Sequence, residues 1–343
     1  MKEGKLTENV WKRSVLKQIK TKRKEVLIGA GTGENCAVFS LGDGGLTAVS
    51  VNTGHWPGRD TARYALHGSL NALAALGAEP VAVEVSVLLP QEAEESQIRA
   101  MAAQMEEECA SVGVQITEYR VEITEAVNRP IITITGIGRL PEGKEISIKR
   151  IKPGMDIVVS KWIGLEGTVF LAKNKEKELL ARYPARFLEE VKRFDRFLSV
   201  LPEAATAIKS GVCAMYSVAE GGIFGALWEM AAGAGVGLET DLKRIPVRQE
   251  TIEICEFFEL NPYELVSGGC LLMVADKGYD LVRELEEEHI PAAVIGKTTG
   301  NNDRIVINKE EWRFLEPRKP DEIYKIKGYV RNELCREGGM EEA

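Results

Sequence analysis

The sequence predicts a two-domain fold in which strands and helices are mixed in both halves. Three observations carry this expectation. The 343 residues are enough for two separate cores. Strand-like runs in the first half are crossed by two long helical runs. A polar, turn-rich join, PEGKEISIKRIKPGMD at 141–156, then separates that half from a second set of strands and helices. The domains are accordingly placed at 1–150 and 151–320, with a charged tail over 321–343.

In chain order, TENVWKRSVLKQIKTKRKE (7–25) reads as an amphipathic helix with a basic face. A glycine loop, IGAGTGENCAV (28–38), runs into the alternation of CAVFSL. GDGG at 42–45 signals a hairpin turn into the strand LTAVSVN (46–52). A helix follows to about Gly77, with Asp60 as its expected N-cap. PVAVEVSVLLP (80–90) is a strand, and 92–113 is a helix ending at Gly113. VQITEYRVEI and PIITITGIGRL complete the first half as strands. The second half opens with IVVSKWIGLEGTVFLA. It continues with a charged helix at about 186–199 and a helix at GGIFGALWEMAAGAG. GYDLVRELEEEH is a helix between the strands CLLMVAD and AAVIGKT.

Composition narrows the function classes. A net charge of −8 disfavours a nucleic-acid or anionic-membrane partner. No apolar run reaches the roughly 18 residues of a membrane span, and the N-terminus lacks an apolar signal core, so a cytoplasmic protein is expected. The six cysteines contain no C-x-x-C pair, which argues against a zinc cage, and only three histidines are present.

Glycines at 29, 31 and 33 miss the dinucleotide pattern, because Glu34 holds the sixth position and a strand follows instead of a helix. IGKTTG misses the P-loop, because Pro291 stands where its leading glycine belongs. By itself the loop is either a phosphate cradle or a flexible connector. Glu220 before Gly221-Gly222 is either a substrate contact or a carboxylate offsetting a helix dipole.

Six stretches taken together are more specific. GAGTGENCAV, SVNTGHWPGRD, GSLNALAALGAEPVAVEVSVLLP, AVNRPIITITGIG, KPGMDIVVSKWIGLEGTVFLA and SVAEGGIFGALWEMAAGAGVGLETD occur in this order. Their order resembles the superfamily of aminoimidazole ribonucleotide (AIR) synthase, over about 12–315. That superfamily also holds the hydrogenase-maturation carbamoyl dehydratase, thiamine-monophosphate kinase and selenophosphate synthetase. The likeness is strongest to its AIR-synthase-related, hydrogenase-maturation-factor-like group. The resemblance implies an α/β plus α+β fold of the AIR-synthase type, with α/β N-terminal domains whose sheets pair into a barrel in a homodimer. It also implies a flanking α+β C-terminal domain, and ATP in the cleft between the domains with the glycine loop over its phosphates.

The same resemblance assigns roles. Gly29, Gly31, Gly33, Asn35, Asn52, Asn71, Asn128, Gly221 and Gly222 are the expected nucleotide contacts. Asp60, Glu122 and Glu220 are the expected acid–base or catalytic groups, and Asp60, Asn35 and Asn52 the expected weak magnesium ligands. Several family carboxylates are replaced. Asn35, Asn52, Ala72 and Ser217 each stand where an aspartate is usual, so negative charge has been removed from one cleft. Arg59, Arg63 and Arg120 are either compensating cations or solvated surface charges. Cys335 lies eight residues before the end and lacks the context of the dehydratase's terminal cysteine, while Cys36 is expected as a buried small residue.

The expectation is therefore an ATP- or nucleotide-binding homodimer with a degenerate magnesium site, acting in binding or regulation. Two alternatives stay open. One is an active ATP-dependent enzyme of the ligase, dehydratase or kinase type. The other is a catalytically dead subunit of an intact paralogue.

Overall fold

The computed structural model describes Asn9, Lys12 and residues 24–29, 31–34, 36–40, 45–141 and 146–326. The helix expected over 7–25 falls almost wholly outside these residues, as do most of the 42–45 turn, Asn35 and Cys335.

The N-terminal half builds one six-stranded sheet. Its strands are β1 (Val26–Ile28), β2 (Cys36–Ser40), β3 (Gly45–Gly54), β4 (Glu79–Leu89), β5 (Gln115–Ile123) and β6 (Ile131–Pro141). They lie in the order β1-β2-β3-β6-β4-β5. Helix α1 (Thr61–Ala75) joins β3 to β4, and α2 (Glu95–Ser111) joins β4 to β5. β4 and β5 run parallel, so a helix must cross between them. The other neighbours are antiparallel.

Alternation decides which face the helices cover. Leu46, Ala48 and Ser50 of β3, Val83, Val85 and Val87 of β4, and Ile132 and Ile134 of β6 are buried. Gly136 admits α1 closely, since a Cβ there would lie 2.5 Å from Ser69 Oγ. Ser69 and Ser50 share a 2.6 Å hydroxyl contact at that spot. The opposite face shows Val51 and Val81 to solvent. Among the described residues the sheet is open, with β1 and β5 as its two edges.

The C-terminal half builds a seven-stranded sheet in the order β13-β12-β9-β11-β7-β10-β8. These strands are β7 (Asp156–Ser160), β8 (Ala214–Ser217), β9 (Gly237–Asp241), β10 (Leu271–Ala275), β11 (Ala292–Thr299), β12 (Arg304–Asn308) and β13 (Glu311–Phe314). The helices are α3 (Leu165–Asn174), α4 (Glu176–Leu179), α5 (Ala185–Lys192), α6 (Leu201–Lys209), α7 (Gly222–Ala234), α8 (Gln249–Phe257) and α9 (Gly278–Glu287). β7 and β10 read as unbroken apolar runs because both their faces are covered. Ile223, Leu227 and Met230 of α7 pack on Ile157, Val159, Leu272 and Val274. Ala204, Ala207, Leu281 and Leu285 of α6 and α9 pack on Val158, Leu271 and Met273 from the other side.

The halves share their cores. Ala74 and Ala75 of α1 belong to the α6–α9 cluster. Trp56 and Tyr64 belong to a third cluster with α3, α5 and α8. Two expectations need correction. The charged helix ends at Lys192 and continues as a 3-10 turn over Arg193–Phe197. Asp60 stands at the N-cap of α1 but makes no capping hydrogen bond, because its carboxylate is taken by Lys173 of the other half and by Gln104 of α2.

Candidate functional site

The glycine loop links β1 to β2 and lies across α7 of the other domain. Gly33 has φ +74°, which glycine adopts freely. A Cβ there would come within 2.7 Å of Ile148 Cδ1 and 2.9 Å of the Glu229 carbonyl oxygen. Facing it, a Cβ on Gly233 would lie 2.8 Å from the Thr32 carbonyl oxygen. Two glycines therefore set how closely loop and helix approach.

Beneath the loop is a narrow cleft lined by Gly33, Glu34, Cys36, Ala72, Tyr216 and Ser217, with an aliphatic floor. The space open to the centre of a water molecule is about 30 Å³. Ligand pockets usually run to a few hundred Å³, so a nucleotide would enter here only with the loop lifted. Ala72 and Ser217, two of the positions where a carboxylate is usual in the resembling superfamily, come together in this cleft.

Glu34 is the one carboxylate among the lining residues. Its Oε1 is buried without a hydrogen bond, and Lys149 Nζ stands 3.6 Å away, too far for a good one. Burial raises the pKa of Glu34, with Lys149 pulling the other way. Burial, then the neighbouring Glu34, pushes the Cys36 thiol up to about 12, so it rests as a protonated small side chain and not as a nucleophile.

The other expected site residues are dispersed. Asn71 is buried on α1, with both ends of its amide engaged by the other domain. Its Nδ2 donates to Leu198 O at 2.7 Å, and its Oδ1 accepts the Val200 N–H at 2.9 Å. Asn52 packs onto Gly68, where an added Cβ would lie 2.4 Å from its Nδ2. Glu122, on β5, and Asn128, in the turn before β6, are both exposed.

Asp60 sits in a network of charges between the domains. Lys173 of α3 donates to its Oδ2 at 2.8 Å and Gln104 of α2 to its Oδ1 at 3.0 Å. Arg63 binds Glu108 at 2.6 Å and Asp195 at 2.8 Å, and Lys173 also reaches Asp195 at 3.0 Å. Arg63 is thereby committed to carboxylates, while Arg59 and Arg120 are exposed. The described residues contain no group of three His, Cys, Asp or Glu side chains placed to hold a metal ion.

Glu220, Gly221 and Gly222 form the entry turn of α7, with φ +82° and +62° at the two glycines. A Cβ on Gly222 would meet the Tyr263 carbonyl oxygen at 2.4 Å. The turn is covered by residues that sequence reasoning did not single out. Arg318 pairs with Glu229 at 2.9 Å and Glu220 at 3.7 Å, and Tyr216 donates to Glu229 at 2.7 Å. Asp321 accepts the Gly221 N–H at 2.6 Å, and Tyr324 donates to Glu220 at 3.3 Å. The stretch expected to begin a charged tail at 321 thus begins with a docked turn, in which Asp321, Glu322 and Ile323 are buried. The signal available was Ile323 and Ile326, two isoleucines among charges.

Comparison with known proteins places both halves. The N-terminal domain model of AIR synthase related protein matches residues 33–140, and the C-terminal domain model matches 152–308. Carbamoyl dehydratase HypE of Rhodobacter capsulatus is 29% identical over 64% of this chain and 62% of its own length. A putative hydrogenase expression/formation protein of Methanocaldococcus jannaschii is 26% identical over 89% of this chain and 91% of its own. The crystal structure of hydrogenase maturation protein HypE in complex with ATP superposes with a TM-score of 0.67 at 19% identity. It covers 93% of this chain and 94% of that one, a likeness of fold.

Proposed function

Because the chain belongs to the AIR synthase related family, we propose that it is an ATP-dependent enzyme of the hydrogenase-maturation kind. Its nucleotide phosphates would lie under the glycine loop, in the cleft between the domains. The observation that carries this reading is the seat of the loop. Gly33 of one domain rests on Glu229 and Gly233 of the other, directly beside Ala72 and Ser217. Relatives named as carbamoyl dehydratases and a fold neighbour that binds ATP support it.

In this reading the backbone N–H groups of the loop face the phosphates, and binding closes the loop over them. Phosphoryl transfer to an amide or carbamoyl oxygen then needs positioning and charge neutralisation more than covalent help from the protein. Magnesium arriving with ATP would take mostly phosphate and water oxygens, with Glu34 as the carboxylate on hand. The exposed face of the N-terminal sheet, with Val51 and Val81, would be the surface that joins two copies.

A second reading, a nucleotide-binding or regulatory dimer without turnover, is favoured by Ala72 in the cleft and by the commitment of Asp60 to Lys173. Calorimetry with ATP, with and without magnesium, tests both, and no heat at millimolar nucleotide would sink both. ADP release across a panel of carbamoyl, amide and phosphate-ester substrates separates them. Binding without release leaves the second. Co-purification with an intact paralogue would point instead to a heteromeric partner role.

A further inference from the structure

Among the described residues the C-terminal sheet ends at β13, and β13 is exposed along its whole length. It pairs with β12 in the register Ile305–Phe314, Val306–Arg313, Ile307–Trp312 and Asn308–Glu311. In the same register Leu315 donates its N–H to Arg304 O at 2.7 Å. Antiparallel pairs alternate between bonded and non-bonded, so Arg313 and Glu311 also turn their backbone groups toward β12. Trp312 and Phe314 turn theirs outward, where no further backbone group among the described residues meets them.

The side chains divide in the same way. Trp312 and Phe314 share the outer face of the hairpin, 61% and 57% exposed, with ring centroids 5.4 Å apart. Ile307 and Ile305 lie opposite them, half-buried. Glu311 and Arg313 lie on the face that α7 covers, where Arg313 stands over the Phe224 ring at 5.4 Å. An exposed apolar edge is a template for another strand. The charges on this edge select which strand, and in which register. When β13 is laid antiparallel to its own copy with Trp312 opposite Trp312, each Glu311 faces the Arg313 of the other copy. Moving to Trp312 opposite Phe314 sets the two Arg313 against each other, and moving the other way opposes the two Glu311. Like charges directly opposite destabilise a pairing, so one register is singled out.

We propose that β13 is an interface for a second copy of this chain, the two edges pairing antiparallel about an axis at Trp312 and joining two C-terminal sheets into one. Each Trp312 then exchanges its N–H and C=O with its counterpart, and the two indoles meet on the outer face. Glu311 of each copy pairs with Arg313 of the other on the opposite face. The contact uses the same patch on both copies and therefore closes at two. It lies at the far edge of the sheet from β8, whose Tyr216 and Ser217 line the cleft, so pairing leaves the cleft uncovered. It is also separate from the N-terminal face that carries Val51, and copies joined there as well would link into larger assemblies. A strand this short buries little area, so the dissociation constant falls at about 10–100 µM.

Sedimentation of the full chain between about 2 µM and about 500 µM reads the contact directly. The weight-average mass should rise about twofold or more across this range, starting from whatever assembly the N-terminal sheet sets at the low end. Glu311→Arg places like charges at both ends of the pairing, as does Arg313→Glu, and each alone should remove the rise. An equimolar mixture of these two variants brings opposite charges together at both places. It should restore the rise, with association at least about tenfold tighter than in either variant alone. A misfolded variant gains nothing from mixing, so the rescue separates the interface from the fold. The proposal is overturned if the mass of the unaltered chain stays constant, which would leave the edge to a strand of another protein. It is equally overturned if the rise survives in the single variants, or if their mixture associates no better than they do.

Discussion

Val200 donates its backbone N–H to Oδ1 of Asn71 at 2.9 Å, while Nδ2 of the same side chain donates to the Leu198 carbonyl at 2.7 Å. One buried amide thus satisfies two backbone groups of the other domain, and the bond ties α1 to the entry of α6. Asn71→Ala leaves both groups buried and unpaired, at a cost of about 2–4 kcal/mol. Urea unfolding should show that loss. A ligand-binding role would predict the reverse pattern, weakened nucleotide binding at unchanged stability.

The charge network beside that clasp predicts an acid limb. The His67 hydrogen bond, then the Arg63 charge, lower Glu108 to about 2 against the cost of its partial burial. A carboxylate held below its free value contributes stability above about pH 4.5, and the contribution is lost as pH falls toward 2. Screening by solvent leaves it on the order of 2 kcal/mol. Urea midpoints measured from pH 6 downward should fall through this window, and Glu108→Gln should lower the pH 6 value and flatten the fall.

The elements legible in the sequence were those whose burial follows a period. β3, β4 and β6 alternate because one face packs on α1 and α2 while the other is open. β13 was not legible: it reads EWRF, is exposed along its whole length, and has no alternation to detect. At the site, the glycine loop could be read because only a backbone contact needs glycine at Gly33. The roles of Asp60 and Asn71 could not, because each is set by partners more than 100 residues away, Lys173 and Leu198. Arg318 and Asp321 were hidden for the same reason. A run of charges says nothing of the turn it docks on.

The open face of the N-terminal sheet predicts an association that charge can break. Val51 is 63% exposed at the centre of β3, between strands that are themselves covered behind. If this face joins two copies, Val51→Lys places an unpaired ammonium in the contact, and the dimer should give way to monomer in light scattering at micromolar concentration. An unchanged mass would remove this face from the interface.

Gly33 and Gly113 both have positive φ, +74° and +68°, but their surroundings differ. An alanine at 113 meets nothing within 4 Å, so Gly113→Ala should cost about 1–2 kcal/mol of backbone strain alone. An alanine at 33 adds a collision with the Glu229 carbonyl oxygen at 2.9 Å and lifts the loop from α7. If the loop closes on phosphates, Gly33→Ala should weaken ATP binding about tenfold or more in calorimetry, while Gly113→Ala leaves it unchanged. Equal effects from the two would detach the loop from the nucleotide.

Ala72 offers the most direct test of what the cleft has lost. It lines the same space as Glu34, on the face of α1 that meets β8. Ala72→Asp places a second carboxylate near the buried one. Without metal the two repel each other and any phosphate, so ATP should bind more weakly than to the unaltered chain. With magnesium the added oxygen ligand brings a charge that the cation can use, and binding should become tighter than before. The ratio of the dissociation constants without and with magnesium should therefore grow by about tenfold or more, a change of about 1.4 kcal/mol in coupling. A ratio that does not move would mean that phosphates and metal do not meet α1 at this position, and would place the nucleotide elsewhere on the cleft wall.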